Sequence, residues 1–444
     1  MNKTKMVILA HDAIIRHIGE QYFLVRASFD YSKKRLLQLT ELGVAIVRFI
    51  KEARAVQKVA ETFSSYANEE TIEAYLSYLD ENNYVIRWGG GDSDSYVNLS
   101  SLQKEIWMEE HVPYGATIEL TSRCNFRCVH CYLDHFHQTE DLTFDQIKFI
   151  LDALAKAGMM TIFLSGGEPL LRKDFREIYL YAKKLGFLLM IFTNGYLLDD
   201  DLLDLFLQYP PLEIDISLYG SDDAAYERVT GVKGAFTRIR NNIIKYKKHG
   251  IFVSAKTPVL TIMKDDLGRM RDVAAELDIP WRITFDIMPT IDNVSKEEYR
   301  LPAKQAMELY REFGDTYYAD KEILSERLGK GGQIGRRRYA CGMGKSSCFI
   351  DYRGYVSPCI ETRHRGVSIF ENDFDTVWKK IRDISYEQLS EEENYKCLSC
   401  DIACICKSCP AVRERYYGSP AIIKKQDCAF AEALKEIILR EEKR

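Results

Sequence analysis

Features that would place this chain in several large classes of protein are missing from its sequence. The one apolar run in residues 1–12, Met6 to Ala10, is too short for a signal peptide or a membrane span. The net charge of −5 argues against a dedicated nucleic-acid binder, which would carry a basic surface. We therefore predict a cytoplasmic protein that has neither a membrane nor a nucleic acid as partner.

Cysteine is absent from the first quarter of the chain. Of twelve cysteines in 444 residues, none precedes Cys124, three lie between Cys124 and Cys131, and nine lie between Cys341 and Cys428. A secreted disulfide framework would be a shorter chain, denser in cysteine. Two separate cysteine regions in a reducing compartment therefore indicate metal or iron–sulfur sites.

The first region has the spacing C-x3-C-x2-C and follows a run, Ala116 to Thr121, that is typical of a strand. Three thiolates this close indicate a soft metal centre. A closed zinc site or four-iron cluster takes four protein ligands, so three leave one metal position for a non-protein ligand. Two alternatives remain open, namely buried free thiols and a zinc site whose fourth ligand is His130, His135 or His137.

Strand and helix patterns alternate six times between Ala116 and about Asp286. The predicted strands are Ala116–Thr121, Thr161–Leu164, Leu188–Phe192, Leu212–Ser217, Phe252–Pro258 and Arg282–Phe285. The predicted helices are Phe144–Lys156, Asp174–Leu185, Asp200–Leu207, Phe236–His249 and Lys264–Leu277. This order predicts an α/β fold with parallel strands and outer helices, a partial (β/α)6 TIM-like barrel.

Polar and glycine-rich segments follow the predicted strands. In a barrel of this type the chemistry lies at the C-terminal ends of the strands, so these segments are expected to converge on one rim. Each also has a structural explanation, because glycine and proline suit a tight turn and polar side chains hold turns. The segments are Ser165-Gly166-Gly167-Glu168-Pro169, Thr193-Asn194-Gly195, Ser217 with Tyr219, Lys256, and Asp286.

Residues 1–91 form a separate unit that ends in a Gly89-Gly90-Gly91 linker. Short strands at Tyr22–Arg26, Arg35–Leu39 and Tyr84–Ile86, with helices after Thr40, over Ala55–Tyr66 and over Glu69–Asn83, predict a winged-helix-like domain. A DNA-binding module is the alternative, but the segment is not markedly basic. The remaining predicted units are a linker over 92–115, the barrel over 116–320, and a bridge with a cysteine-rich iron–sulfur domain over 321–444.

The motif Cys124-Asn125-Phe126-Arg127-Cys128-Val129-His130-Cys131 resembles that of the radical S-adenosylmethionine (SAM) enzymes, with His130 as the ring-bearing residue before the last cysteine. The resemblance implies that Cys124, Cys128 and Cys131 hold a [4Fe-4S] cluster. Its open iron would bind the amino and carboxylate groups of SAM, which reduction cleaves to a 5′-deoxyadenosyl radical.

The same resemblance implies SAM-binding roles around the rim. The Gly-Gly-Glu-Pro run looks like the family's site for the SAM ammonium, with Glu168 as an acceptor, and Ser217 looks like its ribose-contacting serine. Arg228 stands where related enzymes often place an arginine on the SAM carboxylate, although a surface salt bridge explains it as well. The implied SAM-binding residues are Tyr132, Gly166, Gly167, Glu168, Pro169, Asn194, Ser217 and Arg228.

The C-terminal cysteines resemble the SPASM extension of radical SAM enzymes, which holds two auxiliary [4Fe-4S] clusters. Carried over by position, the first cluster uses Cys341, Cys348, Cys359 and Cys409, and the second uses Cys397, Cys400, Cys406 and Cys428. Cys406-x2-Cys409 is one residue shorter than the family spacing. Cys404 is the spare cysteine on this assignment, but either Cys404 or Cys406 could be the cluster ligand. Zinc ribbons are the alternative for this region.

Residues 1–91 resemble the RiPP recognition element, the domain that binds precursors of ribosomally made, modified peptides by adding the leader as a strand. The three resemblances together imply a radical SAM maturase of the sactipeptide or ranthipeptide kind. Such an enzyme installs intramolecular thioether cross-links between Cys thiols and carbon atoms of acceptor residues. The implied partners are a precursor peptide and an electron donor such as flavodoxin or ferredoxin.

Three other functions remain open. They are a maturase that forms carbon–carbon links of the lysine–tryptophan or cyclophane type, a sulfatase- or quinone-cofactor-maturing enzyme, and a cluster-containing winged-helix regulator. No residue is predicted as general base, because every acid on the rim has an ordinary structural explanation. The catalytic residues proper are therefore left unassigned.

Overall fold

A computed structural model describes most of the chain. The described residues are 6–9, 13–18, 21–26, 36–50, 54–82, 84–88, 113–133, 140–313, 339, 341, 343–388, 396–403, 405–406 and 408–441. Cys404 and most of the predicted linker at 92–115 therefore lie outside the described residues. Among the described residues, no helix is both long enough and apolar enough to span a bilayer.

A central sheet organises the middle of the chain. Its parallel strands are β7 (Gly115–Glu119), β8 (Thr161–Ser165), β9 (Leu188–Thr193), β10 (Glu213–Ser217), β11 (Val253–Pro258) and β12 (Trp281–Thr284). They lie side by side in chain order, each hydrogen-bonded to the next. The six predicted strands are confirmed, and the sheet is the central parallel sheet typical of the predicted barrel type.

Helices connect these strands and cover one face of the sheet. They are α4 (Phe144–Lys156), α5 (Phe175–Lys184), α6 (Asp200–Gln208), α7 (Asp223–Thr230), α8 (Ala235–Lys248) and α9 (Leu267–Glu276). Helix α4 matches its predicted range, because Thr143 and Gln146 form a capping box and its apolar residues recur at helical spacing. Helix α7 was not predicted. It has only eight residues, from the Asp222 cap to Gly231.

Alternation along the strands gives the sheet two different faces. Residues such as Ile118, Leu164 and Ile216 pack with the helices in one large apolar core. The neighbouring positions, for example Glu119 and Asp215, therefore lie on the opposite face, which we call the inner face. The inner face is where polar and aromatic side chains of successive strands meet.

The N-terminal residues form their own apolar core around Val44, Val47 and Leu76. Helices α1 (Glu41–Phe49), α2 (Val56–Thr62) and α3 (Glu69–Glu81) accompany two three-stranded sheets. The sheets consist of β1 (Met6–Leu9), β5 (Arg54–Ala55) and β6 (Val85–Trp88), and of β2 (Ala13–Ile18), β3 (Gln21–Arg26) and β4 (Leu36–Leu39). Strands β1 and β2 were not predicted, and the winged-helix assignment stays a prediction.

The C-terminal region extends the central sheet. Strand β13 (Ser347–Ile350) pairs in parallel with β7, and β14 (Tyr355–Ser357) and β15 (Val367–Ser368) continue it in antiparallel fashion. Helices α11 (Phe374–Ser385), α12 (Pro410–Tyr417) and α13 (Lys425–Glu441) follow. Residues of α13 pack with α10 (Ala303–Phe313) in a separate small core, which includes Tyr310 and Leu434.

Candidate active site

The loop that carries Cys124, Cys128 and Cys131 starts directly after β7 and folds against the end of α7. The backbone N–H groups of Arg127 and Val129 donate to the carbonyls of Thr230 and Val229, both at 3.0 Å. The Cys131 N–H donates to the Cys128 carbonyl at 3.1 Å, which closes a turn between two of the cysteines. Helix α7 therefore shapes the loop, although no sequence signal predicted it.

The three thiols affect one another electrostatically. Burial raises the pKa of the Cys124 thiol to about 12, and repulsion from Glu168 and from the Cys131 thiolate adds to the shift. Burial also raises the pKa of Cys128 well above its usual value, with repulsion from both Cys131 and Cys124. A bound cation reverses such shifts, because a thiol that coordinates a metal is deprotonated outright. The loop therefore suits a positively charged metal centre.

The Gly-Gly-Glu-Pro turn after β8 packs on the backbone that leads into Cys124. Gly167 donates its N–H to the Thr121 carbonyl at 2.7 Å, and Glu168 donates its N–H to the Arg123 carbonyl at 2.8 Å. A Cβ atom on Gly167 would collide with the Arg123 carbonyl oxygen, and one on Gly166 (φ +136) with the Thr121 carbonyl oxygen. Glycine is required here by the close approach of two backbones.

The Glu168 carboxylate is fully buried and connects the ends of β8 and β9. It accepts hydrogen bonds from Thr193 Oγ1 at 2.7 Å, from the Asn194 N–H at 2.8 Å and from the Leu170 N–H at 3.1 Å. Burial raises the pKa of Glu168 to about 7, although these hydrogen bonds oppose the shift. The structure thus gives Glu168 a positioning role, and its contact with the SAM ammonium stays a prediction. Pro169 begins the short 3-10 turn that follows.

Asn194 and Ser217 both connect to the cysteine loop. The Asn194 amide donates to Asn125 Oδ1 at 2.8 Å and lies 3.9 Å from Cys124 Sγ. Ser217, the last residue of β10, lies near the Tyr219 hydroxyl, which in turn lies near the Cys128 thiol. Two predicted SAM-binding residues from different strands are therefore brought to the thiols.

Tyr132 and Arg228 differ from the other predicted SAM-binding residues. The Tyr132 hydroxyl donates to Oε1 of Glu119 on the inner face at 2.7 Å. Arg228 is exposed on α7, although the following residues Val229 and Thr230 contact the cysteine loop. The structure brings Tyr132 to the inner face but leaves the Arg228 side chain in solvent.

Unpartnered buried polar atoms gather around the thiols. Ser122 Oγ, Asn125 Nδ2 and His130 Nδ1 are buried without a hydrogen-bond partner among the described residues. Buried polar groups are normally paired, so these atoms fit a site that a bound group completes. No three Cys, His, Asp or Glu side chains of the described ranges converge as ligands of a single ion. In a four-iron cluster each thiolate binds a different iron, so such convergence is not needed.

The C-terminal thiols fall into two groups. Burial raises the pKa of Cys409 to about 12, with repulsion from Cys359 and Cys341. Burial raises the pKa of Cys406 to about 11, with repulsion from Cys397 and Cys428. Cys400 packs with Cys406 against the small core of α10 and α13. Cys348 apart, these groups follow the predicted division, and the two auxiliary clusters themselves stay a prediction.

Cys348 is the exception in the predicted ligand set. It lies on β13 with 4% of its surface exposed, inside the large apolar core. Burial alone raises its pKa, whereas the other buried members of the set respond to neighbouring thiols or hydrogen-bond donors. The alternation of β13 places Cys348 with Ile350 on the helix-covered face of the sheet. Cys348 therefore packs among apolar side chains of the central core, and its role as a cluster ligand stays a prediction.

Two residues of the site, Glu119 and Arg363, were missed by the sequence analysis. Glu119 ends β7 with its side chain fully buried, and Arg363 Nη2 donates to its Oε1 at 3.0 Å. The signal in the sequence was a single acid inside an otherwise uncharged strand, Ala116 to Thr121. Nothing local marked Arg363, because its partner is 244 positions away.

Comparison with known proteins finds similarity to one family in the part of the chain that carries the cysteine loop. Residues 118–274 match the model of the radical SAM superfamily. An AdoMet-dependent heme synthase of Methanosarcina barkeri is 25% identical over 313 residues, which cover 66% of this chain and 90% of the relative. The antilisterial bacteriocin subtilosin biosynthesis protein AlbA of Bacillus subtilis is 28% identical over 329 residues, covering 70% of this chain and 69% of AlbA.

A solved structure resembles nearly the whole chain. The crystal structure of Streptococcus suis SuiB bound to its precursor peptide SuiA superimposes with a TM-score of 0.60. The alignment covers 95% of this chain and 99% of SuiB, at 15% sequence identity. At that identity the likeness shows a shared fold. The aligned part includes regions that precede and follow the central sheet in the chain.

Proposed function

We propose that this chain, in which residues 118–274 form a radical SAM domain, is a maturase that installs intramolecular thioether cross-links in a ribosomally made peptide. The links would join Cys thiols of the peptide to carbon atoms of acceptor residues. The observation that carries the proposal is the three-thiol loop at the end of β7. Asn194 from the end of β9 is hydrogen-bonded to this loop, and the Tyr219 ring lies 5.1 Å from the His130 ring of the loop. Radical SAM domains bind SAM and a [4Fe-4S] cluster.

When bound, SAM and the cluster supply a carbon-centred radical that removes a hydrogen atom from the substrate. The residues of the chain fix where this chemistry takes place. Gly166 and Gly167 let the turn after β8 pack on the backbone that leads into Cys124, and Tyr219 packs against His130 beside the thiols. The remaining predicted contacts to SAM, from Tyr132, Glu168, Pro169, Ser217 and Arg228, belong to the proposal.

A peptide substrate is supported by two of the comparisons. AlbA is named for the biosynthesis of subtilosin, and SuiB was crystallised with its precursor peptide. We assign leader binding to a recognition domain at residues 1–91, followed by a linker at 92–115 and the barrel at 116–320. Leader docking raises the effective concentration of a flexible core peptide at the inner face, which offsets the entropic cost of orienting it.

Residues 321–444 are proposed as a SPASM domain with two auxiliary [4Fe-4S] clusters. The two thiol groups support this assignment, with Cys341, Cys359 and Cys409 in one and Cys397, Cys400, Cys406 and Cys428 in the other. Cys348 is the weakest member of the set. A cytoplasmic location and a flavodoxin or ferredoxin as electron donor complete the proposal.

A second function, modification of a tetrapyrrole, is favoured by one observation. The Methanosarcina barkeri heme synthase matches over 90% of its own length. It matches only 66% of this chain, however, which leaves a large part of this protein without a counterpart. A carbon–carbon cross-linking maturase remains the alternative within the peptide class.

The test is mass spectrometry of the precursor peptide encoded beside this gene, incubated anaerobically with the reconstituted protein, SAM and a reductant. Each thioether removes two hydrogens and makes one peptide thiol unreactive towards iodoacetamide. A loss of two hydrogens with every thiol still reactive would identify a carbon–carbon link instead. An unchanged peptide, with turnover of an iron-containing tetrapyrrole under the same conditions, would establish the second function.

A further inference from the structure

We propose that Glu119 binds the substrate directly, and that its Oε2 atom accepts a hydrogen bond from a backbone N–H of the core peptide on the inner face. The inference rests on the proposed peptide substrate and assigns one residue of its binding site. Neither the cysteine loop nor the predicted SAM-binding residues include Glu119. We assign this role to Glu119 because its side chain is buried, its Oε1 atom has two partners, and its Oε2 atom has none among the described residues.

The two carboxylate oxygens of Glu119 have different surroundings. Oε1 accepts hydrogen bonds from the Tyr132 hydroxyl at 2.7 Å and from Arg363 Nη2 at 3.0 Å. Oε2 is buried and has no hydrogen-bond partner within the part of the chain that the structure describes. A buried carboxylate oxygen without a donor is costly, so a donor from a bound molecule would stabilise this arrangement.

A neighbouring carboxylate, Asp351, gives a matched comparison for Glu119. Asp351 is equally buried and close enough to repel Glu119. Its Oδ1 accepts from the N–H groups of Arg353 and Tyr355, at 2.9 and 3.0 Å, and its Oδ2 accepts from the Arg353 guanidinium at 2.6 Å. The protein thus satisfies both oxygens of Asp351 but only one oxygen of Glu119.

The position of Glu119 favours the peptide over SAM as the donor. Among the predicted SAM-binding residues, Gly167 and Asn194 follow β8 and β9 and Ser217 ends β10, whereas Tyr132 hydrogen-bonds only the Oε1 atom of Glu119. Glu119 lies on β7, whose other neighbour is β13, and its ion-pair partner Arg363 comes from the segment after Cys359. Through Tyr132 and Arg363, Glu119 therefore connects the cysteine loop to the C-terminal cysteine region. An extended peptide offers an N–H donor at nearly every residue.

The substitution Glu119→Gln reverses the hydrogen-bonding character of the free atom at nearly constant size. Arg363 has only donors, so the amide oxygen of the glutamine stays on Arg363. The NH2 group then occupies the place of Oε2 and opposes an incoming N–H. We expect the affinity for the core peptide to fall by about tenfold or more. The affinity for SAM is expected to stay within about twofold, since the amide oxygen still accepts from Tyr132, the one predicted SAM-binding residue that Glu119 is shown to hydrogen-bond.

The experiment uses the anaerobically reconstituted full chain. A fluorescein-labelled core peptide, synthesised without its leader, reports binding by anisotropy, and radiolabelled SAM reports cofactor binding by equilibrium dialysis. Asp351→Asn is the matched control, because it also removes a buried charge, but from a carboxylate whose oxygens are all bound within the protein. It should leave peptide affinity within about twofold. Glu119→Asp keeps a carboxylate acceptor but shortens the side chain by one methylene group, so the loss of peptide affinity should be intermediate.

Three results would overturn the assignment. They are equal peptide affinity of Glu119→Gln and wild type, equal losses in Glu119→Gln and Asp351→Asn, and a loss of SAM affinity with peptide affinity retained. The third would identify SAM as the donor. If wild type cross-links the peptide and Glu119→Gln binds it equally well, only this inference fails. If wild type neither cross-links the full precursor nor binds the core peptide, the proposed function fails and the role of Glu119 falls with it.

Discussion

The two cysteine regions assemble their thiols in different ways. Cys124, Cys128 and Cys131 lie on one loop, which is held on α7 by backbone hydrogen bonds from Arg127 and Val129. The C-terminal thiols come from separate segments of the chain. The β13–β14 hairpin, the turn after it and helix α12 must therefore all be folded before these thiols can lie close together. Cys359 follows β14, whereas Cys409 precedes α12 by a single residue.

This difference shows what holds each region in place. The first loop depends on main-chain contacts with its neighbours and on two glycines that permit them. The second depends on buried charged side chains that attach it to the barrel. Arg415 of α12 donates to Glu361 at 2.7 Å and to the Pro289 carbonyl at 3.2 Å, and Arg363 pairs with Glu119. Loss of one partner of such a buried pair is far more damaging than loss of a surface pair.

The largest effect that separates the regions is expected from Cys128→Ala. With two thiolates left in the loop, the SAM-binding cluster loses a ligand, and reductive SAM cleavage should fall below detection. Iron content should fall by about a third, since two of three proposed clusters remain. The measurements are 5′-deoxyadenosine by chromatography and iron by a colorimetric assay. Persistent SAM cleavage would remove the assignment of this loop.

Cys406→Ala tests the second region in the same way. We expect a similar loss of about a third of the iron but SAM cleavage within a few-fold of wild type, because Cys406 packs on the α10–α13 core. Peptide cross-linking should stop. Ser399→Ala, a change at a neighbouring hydroxyl, is the control. A parallel loss of SAM cleavage would show that the two regions act as one unit.

The same contrast explains how much the sequence could reveal. The barrel strands and helix α4 were predicted because apolar periodicity and the Thr143–Gln146 capping box are local signals. The first thiol group was predicted because its spacing is contiguous. Helix α7 was missed because it is short and polar, although its last residues hold the loop. The Glu119–Arg363 pair joins positions 244 residues apart, and no pattern along the chain encodes such a contact.

Gly167→Ala tests whether main-chain contact holds the first loop. The added Cβ would meet the carbonyl oxygens of Arg123 and Ser122, which are backbone atoms that move only if the loop moves. We expect a loss of about 2–3 kcal/mol in the free energy of unfolding and weaker SAM binding. Gly268→Ala is the control, because a Cβ there meets nothing within 4 Å and its φ is not positive. Equal unfolding curves for the two variants would contradict the proposed contact.

Cys348→Ala is expected to have the smallest effect. It tests which cysteines of the second region are cluster ligands. If Cys348 is a cluster ligand, its loss should lower the iron content as the loss of Cys409 does. The structure instead places it among apolar side chains of the central core, with burial as the sole cause of its raised pKa. We therefore expect unchanged iron content and a loss of about 1 kcal/mol in the free energy of unfolding, from the small cavity left behind. Cys409→Ala, assayed for iron alongside it, supplies the contrast. A fall in iron of about a third in both variants would return Cys348 to the ligand set.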